Sequence, residues 1–551
     1  MLPVHENIHL PTIQPVRRHL LCMGFFFLLF LAPFMGCGLF LDLIKPKQTQ
    51  CEEKGGTWNN SNKTCVGGNN NNSNTNNSNT NNSNTNDNAD SCSKLSLEDR
   101  AKDKTCFPEG LMVLSRGVVE VRKVVRDLEG NLYVLGKVTK GLIDFGKFSA
   151  SNGKSFLAKL SVGGVWQWIS PTTANLKDVV LDSKGDIYVV GDFEDSIGGG
   201  SSGLVSEGKT DVFVSKWSKD LGKLLWRKRA GGQGTDTANG IAIFEKKGET
   251  EIFVTGSFQE KATFGNKTHT SKGGFDVFVA GLVDKNDQGE WRWSVRGGGQ
   301  GDDVGASIGL SRGGILFVVG NFAQGASFGS TFPKSLGNSD VFVASLNQTS
   351  NGSWEKLLTI GSRGSVRVQA ISNKDLYLVG TFREDAYFYN ESGNLNLKLE
   401  SSDGNKSLFA AKFDLRDWRA AKVFASGKTL EPSGIGVTFR IDALYITGHF
   451  LGTLTTSEAK RDTYHRVFVE KLRTDTLVSL YSSPKIVDGS GDVKAGGVVL
   501  GVDDTPFVVG TFRSNVTVGE TKLSRDHREN ERNLFVWKMP KSDPVGTNPN
   551  P

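Results

Sequence analysis

Two short patterns alternate without a miss along most of this chain, and their phase leaves few folds open to it. The first is aromatic-Val-x-Gly, usually followed two residues later by Phe: YVLG (133–136), YVVGDF (188–193), FVTGSF (253–258), FVVGNF (317–322), YLVGTF (377–382), YITGHF (445–450) and FVVGTF (507–512). The second is SFLAKL (155–160), DVFVSKW (211–217), DVFVAGL (276–282), DVFVASL (340–346), SLFAAKF (407–413), RVFVEKL (466–472) and NLFVWKM (533–539). Successive glycines of the first pattern lie 55, 65, 64, 60, 68 and 62 residues apart. Self-similarity at such periods marks a repeat architecture, whose units bury their apolar faces against one another.

Each segment is short, aromatic and β-branched, and is bounded by Gly, Asp, Asn or Ser, which is strand chemistry. A further strand in each unit precedes the first pattern, as in GIAIF (240–244) and ASIGL (306–310). Another follows the second pattern and carries a central Trp in five units: Trp166, Trp226, Trp291, Trp354 and Trp418. In chain order these strands are A (GIAIF-like), B (first pattern), C (second pattern) and D (the Trp strand). Four short antiparallel strands, seven units and no helical periodicity predict an all-β fold, a seven-bladed β-propeller over 111–540. The 551 residues would otherwise suggest three or four domains, and the 66 glycines now read as turn and strand positions of one. The phase also predicts how the ring closes. Residues 111–115 have no C strand before them and 533–539 no D strand after them, so the N-terminal segment is expected to be the D strand of the last blade. That pairing would remove two open strand edges.

The run DVFVSKW…GKLLW…GGQGTDTANGIAIF…IFVTGSF…TFG (211–265) resembles the bacterial seven-bladed β-propeller repeat family. The resemblance extends over about four-fifths of the chain. It implies the fold and an exported protein, and it names no activity.

The first 110 residues read as an address. LLCMGFFFLLFLAPFMGC (20–37) is apolar, follows Arg17 and Arg18, and ends in small residues, as a secretory signal does. Phe34-Met35-Gly36-Cys37 resembles the bacterial lipoprotein box, which implies lipidation of Cys37 and a membrane anchor. Leu20 to Leu41 carries no charged side chain and is also long enough for an uncleaved signal anchor. Arg17-Arg18 resembles a twin-arginine signal as well. Each reading puts the bulk of the chain outside the cytoplasm, and Gly38 rather than Asp after Cys37 points a lipoprotein to the outer membrane or cell surface. The remaining cysteines, Cys51, Cys65, Cys92 and Cys106, are disulfide candidates, with two local loops favoured among three connectivities. Between these pairs, 67–90 contains an Asn/Ser/Thr repeat that has nothing apolar to bury and reads as a flexible linker. The tail 541–551 is expected to be disordered.

Catalytic signatures do not emerge. GGSSG (199–203), GASIG (305–309) and GASFG (325–329) match Gly-x-Ser-x-Gly, but none precedes a helix as a nucleophile elbow requires. Asp284, Asn286 and Gly289 begin like an EF-hand, yet the twelfth position is Val295. SKDLGKLLW (218–226) resembles the Asp box of sialidase propellers with one residue too many, and reads as a C–D hairpin turn. His269, His449, His465 and His527 are scattered among units and read as isolated surface histidines. No cofactor is implied. Mixed charge with a net of +6 gives no nucleic-acid footprint.

Units of this length place extra residues in connections. In an antiparallel meander the B–C and D–A connections share one face, and both read as long. GGQGTD (231–236), GGGQGDD (297–303) and DGSGD (488–492) set an acid beside glycines near the axis. Asp236, Asp302, Asp303 and Asp492 are therefore the binding-face candidates, for a cation or a polyol, although Asp and Gly are also turn formers. The expected function is a monomeric cell-envelope module that binds a protein or glycan ligand. The alternative is an extracellular propeller enzyme acting on glycans or using a quinone.

Overall fold

The computed structural model describes residues 57–59, 64–66, 110–113 and 116–540, apart from short segments within the last range, of which 452–463 and 524–532 are the longest. The signal sequence, Cys37, Cys51, Cys92, Cys106, most of the Cys-containing segments, the Asn-rich linker, His527 and the tail lie outside the described residues. In the N-terminal unit, Thr57–Asn59 and Thr64–Val66 form a hairpin in which Trp58 pairs with Cys65. No helix among the described residues is long and apolar enough to cross a membrane.

The rest is a seven-bladed β-propeller. Blade 3 shows the pattern: A is Thr237–Lys246, B is Glu249–Phe258, C is Asp276–Lys285 and D is Gln288–Gly298, paired antiparallel in that order. The seven A strands are Arg116–Arg126, Asn175–Leu181, Thr237–Lys246, Val304–Leu310, Val366–Ile371, Thr429–Thr438 and Val493–Leu500. Each packs beside the next, and the last packs beside the first, so the ring is closed. In blade 7, Gly110–Val113 lies beside the C strand Asn533–Lys538, with Leu111 opposite Trp537 and Val113 opposite Phe535. The clasp expected from the phase of the repeat is present.

The two sequence patterns are one packing device. The glycine of strand B has no room for a side chain: a Cβ on Gly256 would sit 1.9 Å from the Thr237 carbonyl oxygen and 2.9 Å from the Phe278 ring. Phe278 comes from the DVFV of strand C, and the carbonyl from a bulge in strand A between Ala238 and Gly240. Bulge, glycine and ring recur in every blade, as with Gly320 against Val304 and Phe342 and Gly510 against Lys494 and Phe535. The Phe rings then join inter-blade cores of aliphatic and aromatic side chains.

The five tryptophans do not share one position. Trp166, Trp291, Trp354 and Trp418 stand in the first half of their D strands, opposite Leu160, Leu282, Leu346 and Phe413. Trp226 lies two residues further on, in the place of Trp168 and Trp293; the first position of blade 2 holds Leu224. A bulge separates the two positions and points them at opposite neighbours. Trp291 Nε1 donates back to the Arg229 carbonyl of blade 2 at 3.0 Å. Trp226 Nε1 donates forward to Asp284 of blade 3 at 3.1 Å.

Candidate ligand-binding face

The B–C connections elaborate one face, but the D–A connections do not. Strand D of blade 2 runs on to Gly232 and the next A strand starts at Thr237, and the other junctions are as short. The glycine pairs that read as loop belong to the D strands. The B–C segments turn back instead onto the D strand of the preceding blade. Thr263 and Ala262 pair with Gly231 and Gly232, Phe328 with Gly297, and Val516 with Gly489. Most blades are thereby extended to five or six strands.

The first residue of strand C anchors this face. Asp211, Asp276 and Asp340 are fully buried, and each accepts the amide four residues upstream, from Glu207 at 3.0 Å, Lys272 at 3.1 Å and Leu336 at 2.6 Å. Arg229 and Arg296 also donate to Asp211 and Asp276.

Asp236 and Asp303 are buried beside these residues. Asp236 Oδ2 accepts the Gly232 amide at 2.7 Å, and Asp303 accepts Gly299 at 2.7 Å and Ala323 at 2.8 Å. Burial pushes the Asp236 carboxyl up to about 7, against the Gly232 and Gln259 amides and with Asp211 adding. Burial likewise brings Asp303 up to about 6. Both tie a D–A turn to a B–C segment. Asp302 is exposed and accepts the Phe275 amide at 3.0 Å. Asp302 and Asp303 share one turn, Asp236 belongs to the junction before it, and Asp492 lies across the ring at the start of blade 7.

Asp492 leads to residues that sequence reasoning missed. Its Oδ1 accepts the His465 amide at 3.1 Å and lies 3.2 Å from His465 Nδ1. The His465 ring centroid is 5.5 Å from that of His449. His449 Nε2 faces Glu431 Oε2 at 3.3 Å, and the His449 side chain is only 11% exposed. The isolated-surface reading is thus corrected for both histidines. Burial lowers the basicity of His449 despite Glu431, and the His449 hydrogen bond holds Glu431 down at about 2, with Lys406 and Lys494 adding. The register explains the meeting. Glu431 opposes His449 on the A–B ladder, and His449 opposes Val467, two residues beyond His465, on the B–C ladder. His269 is held by Ser294 Oγ at 2.8 Å.

On the opposite face a cleft of about 440 Å³ is floored by Lys216 and Asp284. Lys216 Nζ lies 2.6 Å from Asp287, 2.9 Å from Asp284 and 3.3 Å from Asp186. Burial works against its charge, yet Asp287 and Asp284 hold it above the usual range. The EF-hand-like segment is the tight hairpin turn here, with Asn286 and Asp287 at φ 54°. SKDLGKLLW is the C–D turn of blade 2, closed by the Ser218 amide donating to the Lys223 carbonyl at 2.9 Å. Among the Gly-x-Ser-x-Gly segments, 305–309 lies within strand A of blade 4, and 199–203 and 325–329 lie in B–C connections.

No family model and no curated protein matches the chain. Among solved structures it is similar to the quinohemoprotein alcohol dehydrogenase from Comamonas testosteroni, at 10% identity and a TM-score of 0.31, over 82% of this chain and 85% of that one. That likeness carries no argument for a shared cofactor or reaction.

Proposed function

We propose that the chain is an exported, lipid-anchored propeller whose B–C face binds a protein or glycan of the cell envelope. The carrying observation is where exposed apolar side chains fall. Among the described residues eight large apolar side chains are exposed; four of them, Val205, Phe332, Leu395 and Tyr464, lie on B–C connections, and a fifth, Leu142, lies at the end of strand B that leads into one. Loops that leave apolar groups in water on one face of a rigid scaffold suit partner contact. Asp302, in the adjoining D–A turn, supplies a polar group on the same side. The apolar run ending at Cys37 supports the anchor, and the Asn-rich segment 67–90 supports a spacer between anchor and ring.

The test uses the full chain in detergent against envelope extract and a glycan array. Wild type is expected to retain a defined partner that the double variant Phe332→Ser, Tyr464→Ser loses, while the melting temperature stays unchanged. Equal retention by both proteins would overturn the B–C face as the site. Sugar release or quinone-dependent dye reduction would replace binding by catalysis. Cys37→Ser is expected to abolish incorporation of labelled fatty acid.

A further inference from the structure

The pair His449 and His465 has the layout of half a metal site. One nitrogen of each ring is committed to a carboxylate: Nε2 of His449 faces Glu431 at 3.3 Å, and Nδ1 of His465 faces Asp492 at 3.2 Å. Metal-bound imidazoles are typically oriented this way, with the nitrogen that does not bind metal hydrogen-bonded to a carboxylate that fixes the tautomer. The other nitrogens then carry lone pairs. Nδ1 of His449 is buried and has no hydrogen-bond partner among the described residues. An unsatisfied buried polar atom is costly and calls for a reason.

The spacing of the rings fits a shared ion. A metal–nitrogen bond of about 2.0–2.1 Å, plus the ring radius, separates two imidazole centroids on one tetrahedral ion by roughly 5 Å. The observed separation is 5.5 Å, with the rings inclined at 73°. The position is also specific to this blade. The residue after the strand-B glycine is Lys137, Asp192, Ser257, Asn321, Thr381 or Thr511 elsewhere, and only blade 6 holds His there. Among the described residues no group of three or more His, Cys, Asp or Glu side chains is gathered for a metal, so two nitrogens would be the protein's share and water the rest. Imidazole donors of this kind suit zinc or copper rather than calcium or magnesium.

We infer that Nδ1 of His449 and Nε2 of His465 bind one zinc or copper(II) ion between strand B and the start of strand C in blade 6, with Glu431 and Asp492 orienting the two rings. The inference does not depend on the partner-binding reading.

The experiment is zinc titration of the full chain by calorimetry, with copper(II) electron paramagnetic resonance on the same protein. His449→Asn and His465→Thr are the variants of choice, because Asn321 and Thr210 occupy the equivalent places in blades 4 and 2. Wild type is expected to show one equivalent of zinc that each single variant weakens at least tenfold and the double variant loses. Bound copper is expected to show superhyperfine coupling to two nitrogens, and Asp492→Asn to weaken zinc binding by about 10–100-fold as an orienting residue. Zinc bound equally by wild type and a double variant of unchanged circular dichroism would overturn the site. So would copper with no coupling lost on substitution, since the ion would then lie on other His or Cys residues.

Discussion

Asp211 and Asp236 close on the backbone of Gly231 from two sides: a Cβ on that glycine would stand 2.6 Å from Asp211 Oδ1 and 2.7 Å from Asp236 Oδ2. Asp276 and Asp303 repeat the arrangement around Gly298 one blade later, at 2.7 Å each. Two carboxylates that share a dry site cannot both ionise freely. Asp236 is held at about 7, above its value in an unfolded chain. The folded state therefore binds the proton more tightly, and the stabilisation is complete below about pH 4 and is lost as pH rises through 7. Wild type is expected to lose stability relative to Asp236→Asn between pH 5 and pH 8, as read by paired urea melts. A gap that does not change with pH would refute the raised Asp236 carboxyl.

The clasp predicts the effect of trimming the N-terminus. Removing 110–113 leaves the C strand Asn533–Lys538 as an open edge. Loss of one four-residue ladder is expected to lower the melting temperature by roughly 5–10 °C. An unchanged melt would show that the ring does not need it.

Gly256→Ala tests the repeat motif itself. The new methyl would meet both the Thr237 carbonyl and the Phe278 ring closer than van der Waals contact, and both must give. A loss of about 2–4 kcal/mol is expected by chemical denaturation. Phe278→Leu in the same chain is expected to recover part of it, through room on the ring side.

Lys216 is the counter-charge of a buried acid. Asp284 also accepts Tyr188 Oη at 2.7 Å and Trp226 Nε1, so it stays in place when the lysine is removed. Lys216→Met is expected to cost about 3 kcal/mol, and adding Asp284→Asn to return much of it. A double-mutant cycle reads the coupling directly.

Blade number, strand order and the closing strand were legible because each rests on a pattern that repeats in phase. The D–A connections were misread for a local reason. Gly231 and Gly298 adopt φ of 137° and 139°, a conformation that glycine alone takes readily, while still pairing in strand D. Turn chemistry and extended glycine look the same in one dimension. The Trp positions were merged because they lie two residues apart across a one-residue bulge, within a strand whose composition hardly changes. His449 and His465 were passed over as scattered residues. Their meeting requires the A–B and B–C registers together, and 15 intervening residues hide that on the page. Asp492 stood out in the sequence as a binding-face candidate, an acid beside glycines, and its contact with His465 had no sequence signal.

The clasp also imposes an order on biogenesis. Val113 leaves the ribosome early, yet its pairing partner Phe535 follows roughly 420 residues later, and only then can the loop between them be closed. Until that moment the newborn chain is an open fan, with its first strand waiting and its last blade short of an edge. Ring closure therefore waits on strand Asn533–Lys538, and a polypeptide cut short of it leaves the strand Gly110–Val113 without its partner.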